Sequence, residues 1–419
     1  MQRSTMHSWD GIIIGLAFLL ANLRALVFIF LFPDTSKLLG PAWIEIFLWL
    51  LITLAAVFVL IRENQFEEYV LLCRRNWLLG LFILLAFLSA FWSVGFTATL
   101  FRSLELLFAS LLAAYVGMRF RSERLLDALF WFGAILFIFS IALAVGVPRT
   151  GTMYWAPFYG AWRGVYWHRN HLASIAALLS AVYLLRAWIS FQARNNKAVL
   201  DIVFYLLSLA VVFFARSATG YILFLVLHGF LVVALVWLKI SHRLQSKHYL
   251  IVLGAFALVA VLILTNLDFV FGLFHRDPTM TGRVGLWSHL IEIALQRPWL
   301  GHGFGAVWTL DAFREQIRQL VGWASQPLIG DNGFLDIFLH LGIVGLLLFI
   351  GILITATIRS VRYAIAQQTL LSFFPLLLVF YAFFANIAFS LFAETEVFVW
   401  FLIVVVLFLT TASKTHETV

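Results

Sequence analysis

Long apolar runs recur along the whole chain, and short polar segments separate them. Each run has the length, about 18–25 residues, that an α-helix needs to cross roughly 30 Å of hydrocarbon. The pattern therefore predicts an all-α fold, a polytopic transmembrane helical bundle of about 12 spans. We expect residues 1–419 to form a single integral membrane domain. The predicted spans are 11–32, 44–62, 77–97, 100–118, 125–147, 171–190, 198–215, 218–239, 249–267, 335–357, 370–390 and 394–412.

Composition supports the bilayer as the solvent of this chain. Hydrophobic residues make up 63% of the sequence and charged residues 11%, against roughly 45–50% and about 25% in soluble proteins. The net charge of +8 could suggest a nucleic-acid partner, but the basic residues lie in short loops between apolar runs, where they act as orientation signals. We therefore expect no nucleic-acid partner. The single cysteine, Cys73, excludes an internal disulfide.

The distribution of cations predicts the orientation of the chain. Lys and Arg concentrate in alternate loops, which is typical of cytoplasmic loops. With 12 spans, this bias places both termini in the cytoplasm and two longer segments, 148–170 and 268–334, on the external side. The third and fourth spans could instead form one re-entrant pair.

The large external loop, residues 268–334 between spans nine and ten, contains a predicted amphipathic helix at 283–297. At 1.5 Å per residue this helix is too short to span, so we expect it to lie at the membrane interface. Pro298 ends the helix, and the glycines of 301–305 predict a tight turn. Its predicted apolar face consists of Trp287, Leu290, Ile291, Ala294 and Leu295.

Several polar side chains near span ends are candidates for function, each with a structural alternative. Arg102 lies one helical turn from Glu105, so the two could form an intrahelical ion pair or carry function. The first external loop ends in a group that could be an ordinary aromatic-belt anchor or a clamp for an anionic headgroup. That group is Arg163, His168, Arg169 and Asn170.

Two further arginines, Arg216 and Arg283, are candidates for binding phosphate. Arg216 lies in the tight turn between two spans, where it could cap a helix or point into the bundle. Arg283 starts the interfacial helix, where free N–H groups and the helix dipole already favour an anion and the guanidinium adds a bidentate fork. Such arginines, converging on one site, would stabilise a departing pyrophosphate without a metal.

Asp331 precedes the tenth span and has two interpretations. It could be the N-cap of that helix, or it could deprotonate a sugar hydroxyl beside an arginine-rich pocket. Asp336 and His340 lie deeper in the span and are reserve candidates. The sequence contains neither a metal-ligand cluster nor a nucleotide-binding motif, so we expect no cofactor.

These segments resemble, in the same order, the motifs of the O-antigen ligase/polymerase superfamily, and especially its ExoQ-like exopolysaccharide polymerase branch. The similarity covers residues 85–350. The motifs that carry it are Phe91-Trp-Ser-Val94 followed by Arg102, Gly160-Ala-Trp-Arg-Gly164 followed by His168-Arg-Asn170, Arg216-Ser-Ala-Thr219, Thr281-Gly-Arg283, Arg297-Pro-Trp-Leu-Gly301-His-Gly303-Phe-Gly305, and Asp331-Asn-Gly-Phe-Leu335 leading to Leu341-Gly-Ile-Val-Gly345.

The resemblance implies a metal-independent, inverting glycosyltransferase of the bacterial inner membrane, with its active site facing the periplasm. Its donor would be a glycan on undecaprenyl pyrophosphate. The acceptor would be another glycan in a polymerase or lipid A core in a ligase. Besides membrane lipid, a chain-length regulator and a flippase are partners that the resemblance makes plausible.

The resemblance also assigns roles to residues. Arg216 and Arg283 match the arginines expected to hold the pyrophosphate, and with Asp331 they form the expected catalytic set. The expected substrate-binding residues are Arg163, His168, Arg169, Asn170, Arg102, Trp287 and Asn332.

One position departs from the family pattern, because Asp331 stands where the family has a histidine that helps catalysis. Either Asp331 acts as the base or the acceptor is activated differently. A transporter or flippase of lipid-linked anions is the alternative from another class, since it shares many spans and buried arginines. Many such transporters are built from inverted repeats, and we find no such symmetry here.

Overall fold

A computed structural model describes residues 8–22, 42–154, 158–240, 283–321, 329–388 and 397–415. These residues form helices joined by turns, and their only β-pairing is an isolated bridge between Thr152 and Trp162. The helices are α1 Ser8–Ala21, α2 Ala42–Arg62, α3 Phe66–Arg75, α4 Trp77–Leu88, α5 Phe96–Arg119, α6 Ser122–Gly146, α7 Arg169–Gln192, α8 Lys197–Phe214, α9 Ala218–Ile240, α10 Arg283–Ala294, α11 Asp311–Val321, α12 Gly333–Gln367, α13 Phe374–Ala388 and α14 Val397–Thr415.

The described residues include 7 helices that are long and apolar enough to cross a membrane, or up to 8 if the bent pair α3 and α4 counts as one span. Three shorter apolar helices, in α1, α13 and α14, accompany them. The all-helical membrane architecture is therefore confirmed for this part of the chain. The predicted span 249–267 and the second half of 11–32 lie outside the described residues, so the number 12 stays a prediction.

The sharp bend in this part of the bundle lies between α3 and α4, which meet at 80°. The fourth predicted span is the continuous helix α5, from Phe96 to Arg119, and the bent pair α3 and α4 is either a broken span or a re-entrant loop. The re-entrant alternative therefore stays a prediction. At the bend, the Asn76 side chain donates to the Leu72 carbonyl at 2.9 Å and accepts from Arg359 of α12. These bonds connect the bend to α12.

Helix α7 lies at the centre of the bundle, with 83% of its apolar window buried, more than in any other span of the described residues. It packs against α6, α8 and α9. Small residues allow this approach: a Cβ at Gly220 of α9 would lie 2.4 Å from the Cβ of Ala173. Such close packing is typical of membrane helices, whose association depends on van der Waals contact.

The two ends of the bundle differ in their polar contacts. We call one the loop end, because α7, α9 and α12 begin there and the connections that precede α7 and α12 meet there. At the other end, Arg119 pairs with Asp10 at 2.7 Å and with Glu63 at 2.6 Å, and Arg186 pairs with Asp201 at 3.0 Å. The candidate site lies at the loop end.

The described part of the predicted external loop is folded structure with its own small core. The predicted helix exists as α10; Leu290 and Ala294 of its predicted apolar face are buried, whereas Ile291 and Leu295 are 44% and 59% exposed. The buried face packs against α11 and α12. It consists of Leu286, Leu290 and Ala294.

Helix α11 was not predicted, although Phe313, Ile317 and Leu320 repeat at helical spacing. Ile317 is fully buried in the same small core as Trp308, whereas Leu320 is 50% exposed. The described part of the loop therefore contains two packed helices, and the interfacial position of α10 stays a prediction.

Helix α12 is broken at Gly342, where φ is +66°, and the turn Gly301–Gly305 docks into the break. The backbone N–H groups of His302 and Gly303 donate to the carbonyls of Leu339 and His340 at 3.0 and 2.9 Å. Beyond the break, the N–H of Ile343 donates to the Pro298 carbonyl at 2.8 Å. Backbone groups freed inside a membrane must find partners in the protein, and this turn supplies them.

Candidate functional site

The site begins with the cap of α7. His168 has an extended backbone, and its Nδ1 accepts a hydrogen bond from the N–H of Asn170 at 3.2 Å, so the helix begins at Arg169. The cap holds the imidazole over the start of the most buried helix. The rings of Phe158 and Trp167 lie 6.0 and 5.3 Å from it, centroid to centroid.

Arg163 is a buried cation just before this cap. Its Nε donates to the Thr150 carbonyl at 2.8 Å and its Nη1 to the Trp167 carbonyl at 3.3 Å. Burial lowers the pKa of Arg163, but a guanidinium keeps its proton at neutral pH. The loop before α7 therefore holds a fixed positive charge.

Arg169 and Asn170 fix the turn that contains Arg216. Arg169 lies 4.1 Å from the centroid of the Phe158 ring, and its Nη1 donates to the Arg216 carbonyl. The Ser217 hydroxyl donates to Oδ1 of Asn170 at 2.9 Å. Arg216 has a φ of +49° and an exposed side chain. The first residues of α7 thus hold the α8–α9 turn by hydrogen bonds. The Arg216 side chain stays exposed at the loop end.

Arg283, the first residue of α10, binds Asp331. Its Nε donates to Oδ2 at 3.1 Å, and the two side chains are 16% and 22% exposed. The neighbouring Trp287 donates from Nε1 to the Gly330 carbonyl at 2.9 Å. The first residues of α10 are thereby joined to the turn Gly330–Asn332 that leads into α12.

The N-cap of α12 is Asn332, so the interpretation of Asp331 as the cap is wrong. Oδ1 of Asn332 accepts from the N–H groups of Phe334 and Leu335 at 3.1 and 3.2 Å. Asp331 lies one residue earlier with a φ of +53°. Since Asn332 satisfies the helix end, the Asp331 carboxylate faces Arg283 and not the backbone of α12.

Residues of several of these segments affect the pKa of one imidazole, that of His168. Burial lowers the pKa of His168 well below its ordinary value, and positive charges lower it further. The side chains that lower it electrostatically are His171, Arg169, Arg283 and Arg163, so Arg283 of α10 acts on the same imidazole as residues of the loop before α7. We call the group of Arg163, His168, Arg169, Arg283 and Asp331 the arginine site.

Arg102 lies elsewhere at the loop end. It forms the intrahelical ion pair with Glu105 at 3.0 Å, and a Cβ at Gly305 would lie 2.6 Å from its Cγ. It therefore contacts the Gly301–Gly305 turn, and the described contacts do not link it with the arginine site. Its predicted role in substrate binding stays a prediction.

The two reserve candidates differ in their contacts. Asp336 accepts from Trp308 and from the backbone of Gly330. His340 is buried, and its ring nitrogens have no hydrogen-bond partner among the described residues. Sequence reasoning missed Trp308 altogether, because a tryptophan in an aromatic-rich chain gives no local signal of a polar contact.

The arginine site has the chemistry of an anion-binding pocket with one carboxylate at its edge. Several cations would attract phosphate oxygens, and the guanidinium fork suits them in geometry. Within the described ranges, the structure contains no group of three or more His, Cys, Asp or Glu side chains that could hold a metal ion.

Comparison with known proteins identifies a related family. The O-antigen ligase family matches residues 203–350, a range that contains Arg216, Arg283 and Asp331. The exopolysaccharide production protein ExoQ of Rhizobium meliloti (strain 1021) is 30% identical over 120 residues, which cover 28% of this chain and 27% of that protein. The comparisons confirm the resemblance of this integral membrane protein to the O-antigen ligase/polymerase superfamily, and to ExoQ within it.

Proposed function

We propose that this chain is a membrane glycan polymerase of O-antigen or exopolysaccharide assembly. It transfers a glycan from undecaprenyl pyrophosphate to a sugar hydroxyl, with inversion and without a metal. The reaction takes place at the periplasmic face of the inner membrane, where the loop end would lie. Lipid-linked repeat units serve as donor and acceptor.

The observation that supports this proposal most directly is the Arg283–Asp331 pair beside other cations. Arg283 begins α10 and Asp331 lies in the turn before α12, and their side chains meet at 3.1 Å; Arg163 and Arg169 act on the same imidazole as Arg283. A transferase that expels pyrophosphate needs fixed positive charge where the leaving group develops negative charge. It also needs a base near the acceptor hydroxyl.

The proposed transfer step needs the two substrates and the residues of this site. The acceptor oxygen attacks the anomeric carbon of the donor sugar from the face opposite the pyrophosphate and forms the new glycosidic bond. The bond from the anomeric carbon to the pyrophosphate oxygen breaks, and its electron pair leaves with undecaprenyl pyrophosphate. Asp331 accepts the hydroxyl proton, while Arg283 and Arg216 stabilise the departing charge, with Arg163 and His168 as further contacts.

The ligase alternative keeps the donor and changes the acceptor to lipid A core. The description of the matching family, O-antigen ligase, favours it, whereas the similarity to an exopolysaccharide production protein favours the polymerase. Both alternatives use the same arginine site. The acceptor therefore decides between them.

The test uses purified full-length protein and lipid-linked repeat units extracted from cells that lack its gene. These units are incubated with the protein, with and without lipid A core, and the products are separated on a gel. A ladder of glycans without core supports the polymerase, and a core-linked product supports the ligase. No product in either reaction would refute the proposed function.

Arg283→Ala tests the charge of the arginine site. We expect transfer to fall by about 10²-fold or more, the usual cost of removing one group that stabilises a developing anion. The matched control is Arg318→Ala on α11, because Arg318 pairs with Glu315 on its own helix and lies outside the arginine site. Full transfer by Arg283→Ala, or an equal loss in the control, would contradict a role for Arg283 in transfer.

A further inference from the structure

A fully buried carboxylate lies in the first turn of α12, close below the turn Gly330–Asn332. Asp336 is 0% exposed. Its Oδ1 accepts from Nε1 of Trp308 at 3.0 Å, and its Oδ2 accepts from the backbone N–H of Gly330 at 3.2 Å. One side chain therefore joins α12, the loop before α11 and the turn.

The turn itself is held from both sides. The Gly330 carbonyl accepts from Trp287 of α10 at 2.9 Å, while its N–H donates to Asp336 of α12. The fit at Gly330 is close, since a Cβ there would lie 2.5 Å from Oδ1 of Asp336. The next residue is Asp331, whose carboxylate binds Arg283 of the same helix α10.

Packing alone does not explain a carboxylate at position 336. Burying a carboxylate is costly unless donors compensate it, and an apolar side chain would fill the space without that cost. What a carboxylate provides is two acceptor oxygens, and here they receive donors from two separate segments.

We propose that Asp336 is a positioning residue of the transfer site, holding the Gly330–Asn332 turn so that the Asp331 carboxylate stays against Arg283. The inference rests on the proposed function and adds a residue that acts through the turn without touching substrate. Transfer needs the base and the charged pocket in a fixed relation, and a displacement of about 1 Å can cost about 10²-fold in rate.

Asp336→Asn tests this role with little change of volume. Trp308 and Gly330 now donate to different oxygens of Asp336, and the amide replaces one of these oxygens by an NH2 group that would face a donor. We expect kcat for glycan transfer to fall by about 10–100-fold and KM for the lipid-linked donor to change by less than about 3-fold. Thermal unfolding of the purified variant verifies that it is folded.

Trp308→Phe keeps an aromatic ring and removes the second donor to Asp336. It should reproduce the fall in kcat, and it keeps the proposal testable if Asp336→Asn does not fold. Trp299→Phe is the matched control, because Trp299 lies in the same loop and is 72% exposed. Wild-type kcat in both Asp336→Asn and Trp308→Phe would overturn the proposal.

A double-mutant cycle separates positioning from general loss of structure. If Asp336 acts through Asp331, then Asp336→Asn should lower the residual transfer of an Asp331→Asn protein by less than about 3-fold. A loss as large as in the wild-type background would overturn the proposal. Failure of the proposed function is distinguishable, because the wild-type protein would then give no product, whereas this inference fails in a protein that does transfer glycan.

Discussion

At the residue scale, the cap of α7 determines the chemical form of His168. Its Nδ1 accepts the N–H of Asn170 at 3.2 Å, so in the neutral ring the proton is on Nε2. The arginines and His171 around it disfavour a second proton. His168 therefore enters the arginine site as a neutral hydrogen-bond donor at physiological pH, and it adds no positive charge to a crowded group of cations.

This environment predicts a pH effect on stability. In the unfolded chain His168 takes up a proton as the pH falls through about 6.5, whereas burial and neighbouring cations keep the pKa of the folded protein well below that value. The unfolded state thus binds more protons, and stability is lost as the pH falls below about 6.5. At pH 5 the loss from this one residue is at most about 2 kcal/mol.

His168→Asn provides the measurement. Asparagine is a good N-cap and keeps an acceptor for the Asn170 N–H, but it does not titrate. We expect the drop in Tm between about pH 7.5 and 5 to be smaller in the variant than in the wild-type protein. His302, whose pKa burial also lowers, contributes equally in both proteins. An identical drop in the two proteins would show that His168 is not held neutral.

At the element scale, the break in α12 positions both the turn Gly301–Gly305 and the start of the helix that follows Asp331. Gly342 adopts a φ of +66°, and a Cβ there would lie 2.3 Å from the backbone of Trp299. A side chain at this position is excluded both by conformation and by space. The glycine is thus required by the docking of a segment about forty residues earlier in the sequence.

Gly342→Ala should therefore destabilise the protein, since a non-glycine residue in this conformation alone costs about 1–3 kcal/mol and the contact with Trp299 adds to it. Thermal unfolding in detergent gives the Tm. Gly351→Ala in the same helix is the control, because the nearest atom to its Cβ would be a Leu78 side-chain carbon at an ordinary 3.7 Å. Alanine is the better helix former, so Tm in the control should hold or rise. Equal Tm values in the two variants would contradict the requirement for glycine at 342.

Local patterns explain why some elements could be predicted and others could not. Apolar run length is a local property, so it located α2, α5 and α12. The break at Gly342 depends on hydrogen bonds with Pro298, whose carbonyl accepts from Ile343, and with His302, whose N–H donates to Leu339; no window around Gly342 contains these partners. The protein-buried face of α10 could not be predicted for the same reason, because α11 and α12 cover Leu286 and leave Ile291 exposed.

At the scale of the whole molecule, composition alone predicted a membrane protein, but the site is assembled from distant segments. Arg163 and Arg283 are 120 positions apart in the numbering, and both act electrostatically on His168 at the loop end. The sequence positions of two residues do not show whether the fold brings them to the same site. The resemblance of the motifs indicated the participating residues, and the geometry adds the contacts of Asp331 and the polar contacts of Asp336 and Trp308.

The proposed function requires the loop end to face the periplasm, and the cation pattern predicts the same orientation. The length of helix α7 allows this orientation to be tested. Its 24 residues run from the His168 cap to Gln192, a rise of about 36 Å, which exceeds the hydrocarbon thickness of a bilayer. A cysteine at Gln192 would therefore lie on the opposite side of the bilayer from the loop end. Ala312, which is exposed on α11, marks the loop end itself.

Single-cysteine labelling tests this orientation directly. In a Cys73→Ser parent, which contains no cysteine, Ala312→Cys and Gln192→Cys are treated with a membrane-impermeant maleimide in intact spheroplasts. We expect Ala312→Cys to react at once and Gln192→Cys to react only after permeabilisation, while the parent stays unlabelled throughout. The reverse pattern would place the arginine site in the cytoplasm. The proposed function places the glycan acceptor on the periplasmic side, so an arginine site in the cytoplasm would have no acceptor.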